Sequence, residues 1–155
     1  MSPRILLVTG SRVLVASTHE ERAKGLLHAA MLAVGPTLVV AGDADGPDEW
    51  AATWAAERGI DLRIYALDGW VHSAGKLLRP WAKEPGTPGV FRKPLARNVA
   101  MVRETAAQRA NGAHVEAVGI EAAWSATMGT AHTLAAARGA GLSITRITFE
   151  RSEGR

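Results

Sequence analysis

Five short apolar runs punctuate the chain, and between them apolar residues recur at helical spacing. Arg4–Thr9 carries an unbroken apolar stretch that stops at Gly10, the pattern of a strand covered on both faces. Thr18-His19-Glu20-Glu21 then has the form of a capping box, with Glu21 placed to bond back to the Thr18 amide. Ala23, Leu26, Leu27, Ala30, Met31 and Val34 follow on one helical face, and Gly35-Pro36 stops that helix. Thr37–Ala41 predicts a second strand, closed by Gly42. Pro47–Arg58 predicts a second helix, with Pro at its start, Gly59 beyond its end, and Trp50 and Trp54 as a packing pair one turn apart. Asp61–Ala66 predicts a third strand.

From Asp68 to about Pro94 the periodicity disappears, and Gly and Pro crowd into residues 84–89. This stretch reads as a long loop. Helical spacing resumes at Leu95, Val99, Met101 and Val102 and ends at Asn111-Gly112. His114–Ile120 predicts a fourth strand, a short helix follows Gly129-Thr130 and ends at Gly139, and Ser143–Phe149 predicts a fifth strand. Alternating strands and helices imply an α/β protein: a three-layer sandwich on a five-stranded parallel sheet of order 3-2-1-4-5, wound by right-handed crossovers. The whole forms one domain over residues 1–150, with residues 151–155 as a flexible tail.

Composition narrows the function. Apolar residues make up 47% of the 155 and charged residues 21%, as in a packed globular domain. No cysteine is present, which excludes a disulfide framework, a thiolate nucleophile and a Cys-ligated metal. The five histidines show no zinc-ligand spacing. The first apolar run is too short for a membrane span, so the expectation is a cytoplasmic protein with no membrane partner. A net charge of +3 is compatible with an anionic ligand, but on its own it reads first as a basic solvated surface.

The loops at one edge of such a sheet hold the chemistry. After the first strand comes Thr9-Gly10-Ser11-Arg12, and after the second Gly42-Asp43-Ala44-Asp45-Gly46-Pro47-Asp48. A later helix opens near Arg97-Asn98, and another near Gly129-Thr130. Glycine lets a backbone approach phosphate closely, helix N-terminal amides favour anions, and arginine offers a planar fork of donors. Singly, each is explained by a turn or a cap. Together, at the point where strand order reverses, they predict a ligand site. Neither GxGxxG nor GxxxxGK[ST] is present, so the standard dinucleotide fingerprint and the P-loop are absent. Asp43, Asp45, Asp48 and Glu49 allow a Mg²⁺ ion bridging to a ligand phosphate, and otherwise read as a solvated turn before a helix. No metal ligand is assigned. His72, His132 and Trp124 are further candidates for reaching the pocket.

The order of these four loops resembles the YspA/YpsA-like branch of the SLOG superfamily, which is related to the DprA and LOG proteins. The resemblance runs from about Arg4 to Phe149. Gly42 and Asp48 match a degenerate GGxxGAD motif, with Asp43 at the second Gly and Pro47 at the Ala. Trp70, His72 and Gly75-Lys76 resemble a segment that in relatives leads soon into the Arg-Asn pair. Here a basic loop at about 77–96 intervenes, carrying Arg79, Trp81, Lys83, Phe91, Arg92 and Lys93. The resemblance implies a Rossmann-like fold that binds or senses a nucleotide or nucleotide-derived molecule through Gly10, Ser11, Arg12, Gly42, Asp48, Arg97, Asn98, Gly129 and Thr130.

Two other functions stay open. One is hydrolysis of an N-glycosidic or phosphoribosyl bond, for which Asp48 and Glu121 are the available carboxylates. The other is a nucleic-acid-binding module, by analogy with DprA and because basic and aromatic residues mix in the insertion. Assembly into a homo-oligomer is also open. LOG enzymes carry Gly-Gly-x-Gly-Thr-x-x-Glu, whereas this chain has Ala126 and Thr127 at the paired glycines and Thr133 at the catalytic Glu. A hydroxyl cannot offset cationic charge at a ribose carbon as a carboxylate does, and losing one such group commonly costs about 10²–10³ in rate. Incubation with nucleoside monophosphates is therefore expected to release no free base at an enzymatic rate. Rapid release that survives Thr133→Ala and is lost in Asp48→Asn would instead move the chemistry to the second loop.

Overall fold

The computed structural model describes residues 2–86, 94–125 and 129–151. Its strands are β1 (Arg4–Gly10), β2 (Leu38–Gly42), β3 (Asp61–Tyr65), β4 (Trp70–Ser73), β5 (Lys76–Pro80), β6 (His114–Ala122) and β7 (Ser143–Phe149). The α-helices among the described residues are α1 (Glu20–Val34), α2 (Pro47–Glu57), α3 (Pro94–Ala107) and α4 (Gly129–Gly139). The fold is α/β, built on one mixed sheet of order β5-β4-β3-β2-β1-β6-β7.

β1 shows why the sheet sits between two helical layers. Its side chains alternate, so Leu6 and Val8 join one core with Leu27 and Met31 of α1 and Trp50 and Trp54 of α2. Ile5 and Leu7 join the other with Met101 and Val102 of α3 and Leu134 and Ala137 of α4. Both neighbours of β1 run parallel to it, β2 on one side and β6 on the other. The carboxyl ends of these strands therefore fall on one edge, and the loops after them face the same way.

Two expectations are corrected. The five parallel strands do stand in the expected order, but the sheet has seven strands and is mixed, because β4 and β5 add an antiparallel hairpin beside β3. Much of the supposed loop before residue 87 is thus regular structure. The hairpin turns at Ala74 and Gly75, both with positive φ, as a primed two-residue turn requires. Ala at the first of these positions is a weak signal. β5 is exposed throughout, so it has no inside-outside alternation to read. Second, the capping box at Thr18 does not form. α1 starts one residue later than that box requires, no side chain caps it, and Ser17 Oγ instead accepts the His19 amide at 3.2 Å. Phe91, Arg92 and Lys93 of the basic insertion lie outside the described residues, as does the tail from residue 152. No helix among the described residues is long and apolar enough to cross a membrane.

Gly10 fixes how closely α2 approaches the sheet. A Cβ there would lie 2.3 Å from both Cβ and Cγ of Pro47 and 2.8 Å from the Ile120 carbonyl oxygen. Neither a proline ring nor a strand carbonyl gives way cheaply. Gly10→Ala is expected to destabilise the fold by about 1–3 kcal/mol, read as a lowered urea midpoint. An unchanged midpoint would show that α2 can shift freely on β1.

Candidate functional site

The loops at the carboxyl edge enclose a cavity of about 500 Å³. All of the sequence-predicted site residues line it except Gly42. Thr9, Gly10, Ser11 and Arg12 come from the end of β1, and Ala44 and Asp48 from the β2–α2 segment. Arg97 and Asn98 come from the first turn of α3, and Gly129 and Thr130 from the start of α4. The N-terminal turns of α2, α3 and α4 thus all face one space, where their unpaired amides favour negative charge.

Arg97 organises the floor. Its side chain is buried, so its charge must be matched. Nε donates to Asn98 Oδ1 at 2.7 Å, and Nη1 donates to Asp43 Oδ1 at 2.7 Å and to the Tyr65 carbonyl at 3.0 Å. Gly42 lies directly beneath, and a Cβ there would sit 2.8 Å from both Arg97 Nη1 and Asp48 Oδ2. Its predicted role changes accordingly: Gly42 makes room for the guanidinium and carboxylate rather than touching the cavity itself. Arg97 Nη2, Asn98 Nδ2 and the Thr130 hydroxyl make no bond among the described residues, and none is sealed from solvent. Arg12, exposed on a single 3-10 turn, also has no ion-pair or hydrogen-bond partner for its guanidinium among the described residues.

Ser11 is partly committed, since its Oγ accepts the Ala122 amide at 3.2 Å and ties β1 to the end of β6. The acidic cluster is divided. Asp43 serves Arg97 and the Leu67 amide, Asp48 faces the cavity, and Asp45 and Glu49 line a separate groove against Trp50. Among the described residues no three His, Asp or Glu side chains gather as metal ligands. Glu121 lies elsewhere, paired with Arg146 and accepting from Thr148. His72 is on β4, bonded to Asp68 at 3.0 Å, and Trp124 packs near His19 beneath the opposite helical layer. Thr133 is fully buried and donates to the Gly129 carbonyl at 2.9 Å, so its hydroxyl is used within α4. Residues 126–128 of that motif lie outside the described residues.

Reading the sequence missed the apolar wall, formed by Leu67, Pro94, Leu95 and Met101. Met101 was accessible to it, because it follows Arg97 by one helical turn and so shares its face. Leu67 was not, since its place depends on the turn into the unrecognised hairpin. No protein-family model, curated protein or solved structure matches this chain.

Asp48 is the unusual titratable group. Burial pushes its carboxyl up to about 7, with nearby Asp43 adding to the rise, while the Arg97 charge and the Ala44 amide at 3.2 Å oppose it. An acid whose folded pKa exceeds its unfolded value holds its proton more tightly in the native state. It contributes nothing well below pH 4, where both states are protonated; its cost grows between about pH 4 and pH 7 and is constant above that. A shift of this size corresponds to a cost on the order of 4 kcal/mol once ionised. Asp48→Asn, which keeps an oxygen for the Ala44 amide, should raise stability by several kcal/mol near pH 8 and hardly at all near pH 4. Denaturant unfolding at the two pH values measures this, and a pH-independent difference would contradict it.

Proposed function

We propose that this domain is a Rossmann-like module that binds or senses a nucleotide-type small molecule, held by its phosphate at the carboxyl ends of the parallel strands. The observation that carries this reading is the convergence of uncommitted donors on one cavity: Arg97 Nη2, Asn98 Nδ2, the Thr130 hydroxyl and the Arg12 guanidinium. Such a set suits an acceptor-only group, and phosphate is one. The Leu67, Leu95 and Met101 side of the same cavity suits an apolar or planar group attached to it. Asp48 does not oppose the anion while protonated, and when ionised it accepts a sugar hydroxyl. The SLOG resemblance points the same way, and a Mg²⁺ ion riding on the phosphate stays compatible with it.

A hydrolytic reading of the same cavity rests on Asp48. A carboxyl poised near neutrality is matched to general acid–base work, here protonating the base as the ribose carbon–nitrogen bond breaks, with the carboxylate then taking the proton that water releases on adding to the ribose carbon. The base-release assay described above separates this reading from binding alone.

Titration calorimetry with adenosine monophosphate and with adenosine tests the binding reading. The nucleotide should bind and the nucleoside should bind far more weakly. Arg12→Ala, on an exposed turn, should weaken the nucleotide by about tenfold, the scale of one charge-assisted hydrogen bond. Equal affinities for the two probes, or indifference to both Arg12→Ala and Thr130→Val, would refute a phosphate site here.

A further inference from the structure

The main cavity continues beyond its own rim. Leu95 and His132 belong both to its wall and to that of a second hollow of about 450 Å³, which runs outward along α3 past Trp81 and Arg103. Leu95, Val99 and Arg103 are spaced four apart on α3 and form one stripe, with Leu95 49% and Val99 41% exposed. Water is a poor neighbour for two such side chains side by side.

The groove is also equipped with polar and aromatic groups. Trp81 is half-buried, and its indole is fixed in orientation because Nε1 donates to the Ala66 carbonyl. Arg103 is exposed and pairs with nothing among the described residues. At the wall shared by the two hollows, His132 Nδ1 is buried with no partner among the described residues.

We infer that the ligand has two parts, and that this outer groove takes the second: a planar heteroaromatic ring beside Trp81 and the Leu95–Val99 stripe, with an anionic linker paired to Arg103. This rests on the phosphate-site reading above and narrows it to a class, two ring-bearing units joined through a pyrophosphate. A mononucleotide bound by its phosphate in the inner cavity would leave the outer groove unfilled. The groove suits a small molecule better than a protein partner. It is continuous with the cavity, and its apolar stripe is far narrower than the roughly 800 Å² per partner of a stable protein interface.

Calorimetry on the full chain with adenosine monophosphate and with diadenosine diphosphate decides the matter. The two-part probe should bind at least about tenfold more tightly, the scale of one stacked base. Trp81→Ala and Arg103→Ala should each remove most of that gain and leave adenosine monophosphate within about twofold. Arg103→Ala lies on an exposed surface and keeps the test valid should Trp81→Ala fail to fold. If adenosine monophosphate binds but the gain is absent, or survives Arg103→Ala, the outer subsite falls while the phosphate site stands. If neither probe binds, both fall. Loss of self-association in Arg103→Ala, seen by sedimentation, would assign the groove to a second copy and overturn the proposal.

Discussion

The site depends on a buried cation. Arg97 projects from α3 across the end of β2, and its charge is acceptable there because Asp43, the Tyr65 carbonyl and Asn98 take three of its donor positions. Those partners belong to the segment after β2, to the end of β3 and to α3 itself. Matching the charge therefore fixes the first turn of α3 against two strand ends. Gly42 is the complement of this arrangement, since a side chain there would displace the guanidinium. The floor of the cavity is held by this charge matching as well as by apolar packing.

The same arrangement explains the behaviour of Asp48. Asp43 already neutralises Arg97, so Asp48 gains only part of that charge while bearing the full consequence of burial. Two carboxylates around one cation leave the second close to neutrality. That a carboxyl carrying this cost faces the cavity is the feature on which the proposed ligand chemistry draws.

The legible parts of the sequence were those with strong local rules. β1 announced itself by an apolar run ending at a glycine, and α2 by Pro47 at its first turn. The loop residues Arg12, Asp48, Arg97, Asn98 and Thr130 could be assigned to one rim because the alternation of elements fixes which loops share an edge. What stayed hidden lacked such rules. The β4–β5 hairpin is short, exposed on its outer strand and turned by Ala74, so neither periodicity nor turn chemistry marks it. The capping box at Thr18 was a genuine local pattern that lost to Ser17, which accepts the His19 amide. The commitment of Ser11 to Ala122 and of Thr133 to Gly129 could not be seen in one dimension, because a hydroxyl does not reveal from spacing alone which backbone group it will meet.

The hairpin is more than an appendage to the sheet. Arg79 on β5 pairs with Glu104 on α3, and the Tyr65 hydroxyl on β3 stands between them, receiving from Arg79 at 2.9 Å and donating to Glu104 at 2.8 Å. Glu104 lies on the helix that begins with Arg97 and Asn98. The outermost strand and the helix that frames the cavity are thus joined by a direct ion pair and, in parallel, through one phenol. A tilt of α3 would have to break this three-way clamp or carry the edge of the sheet with it.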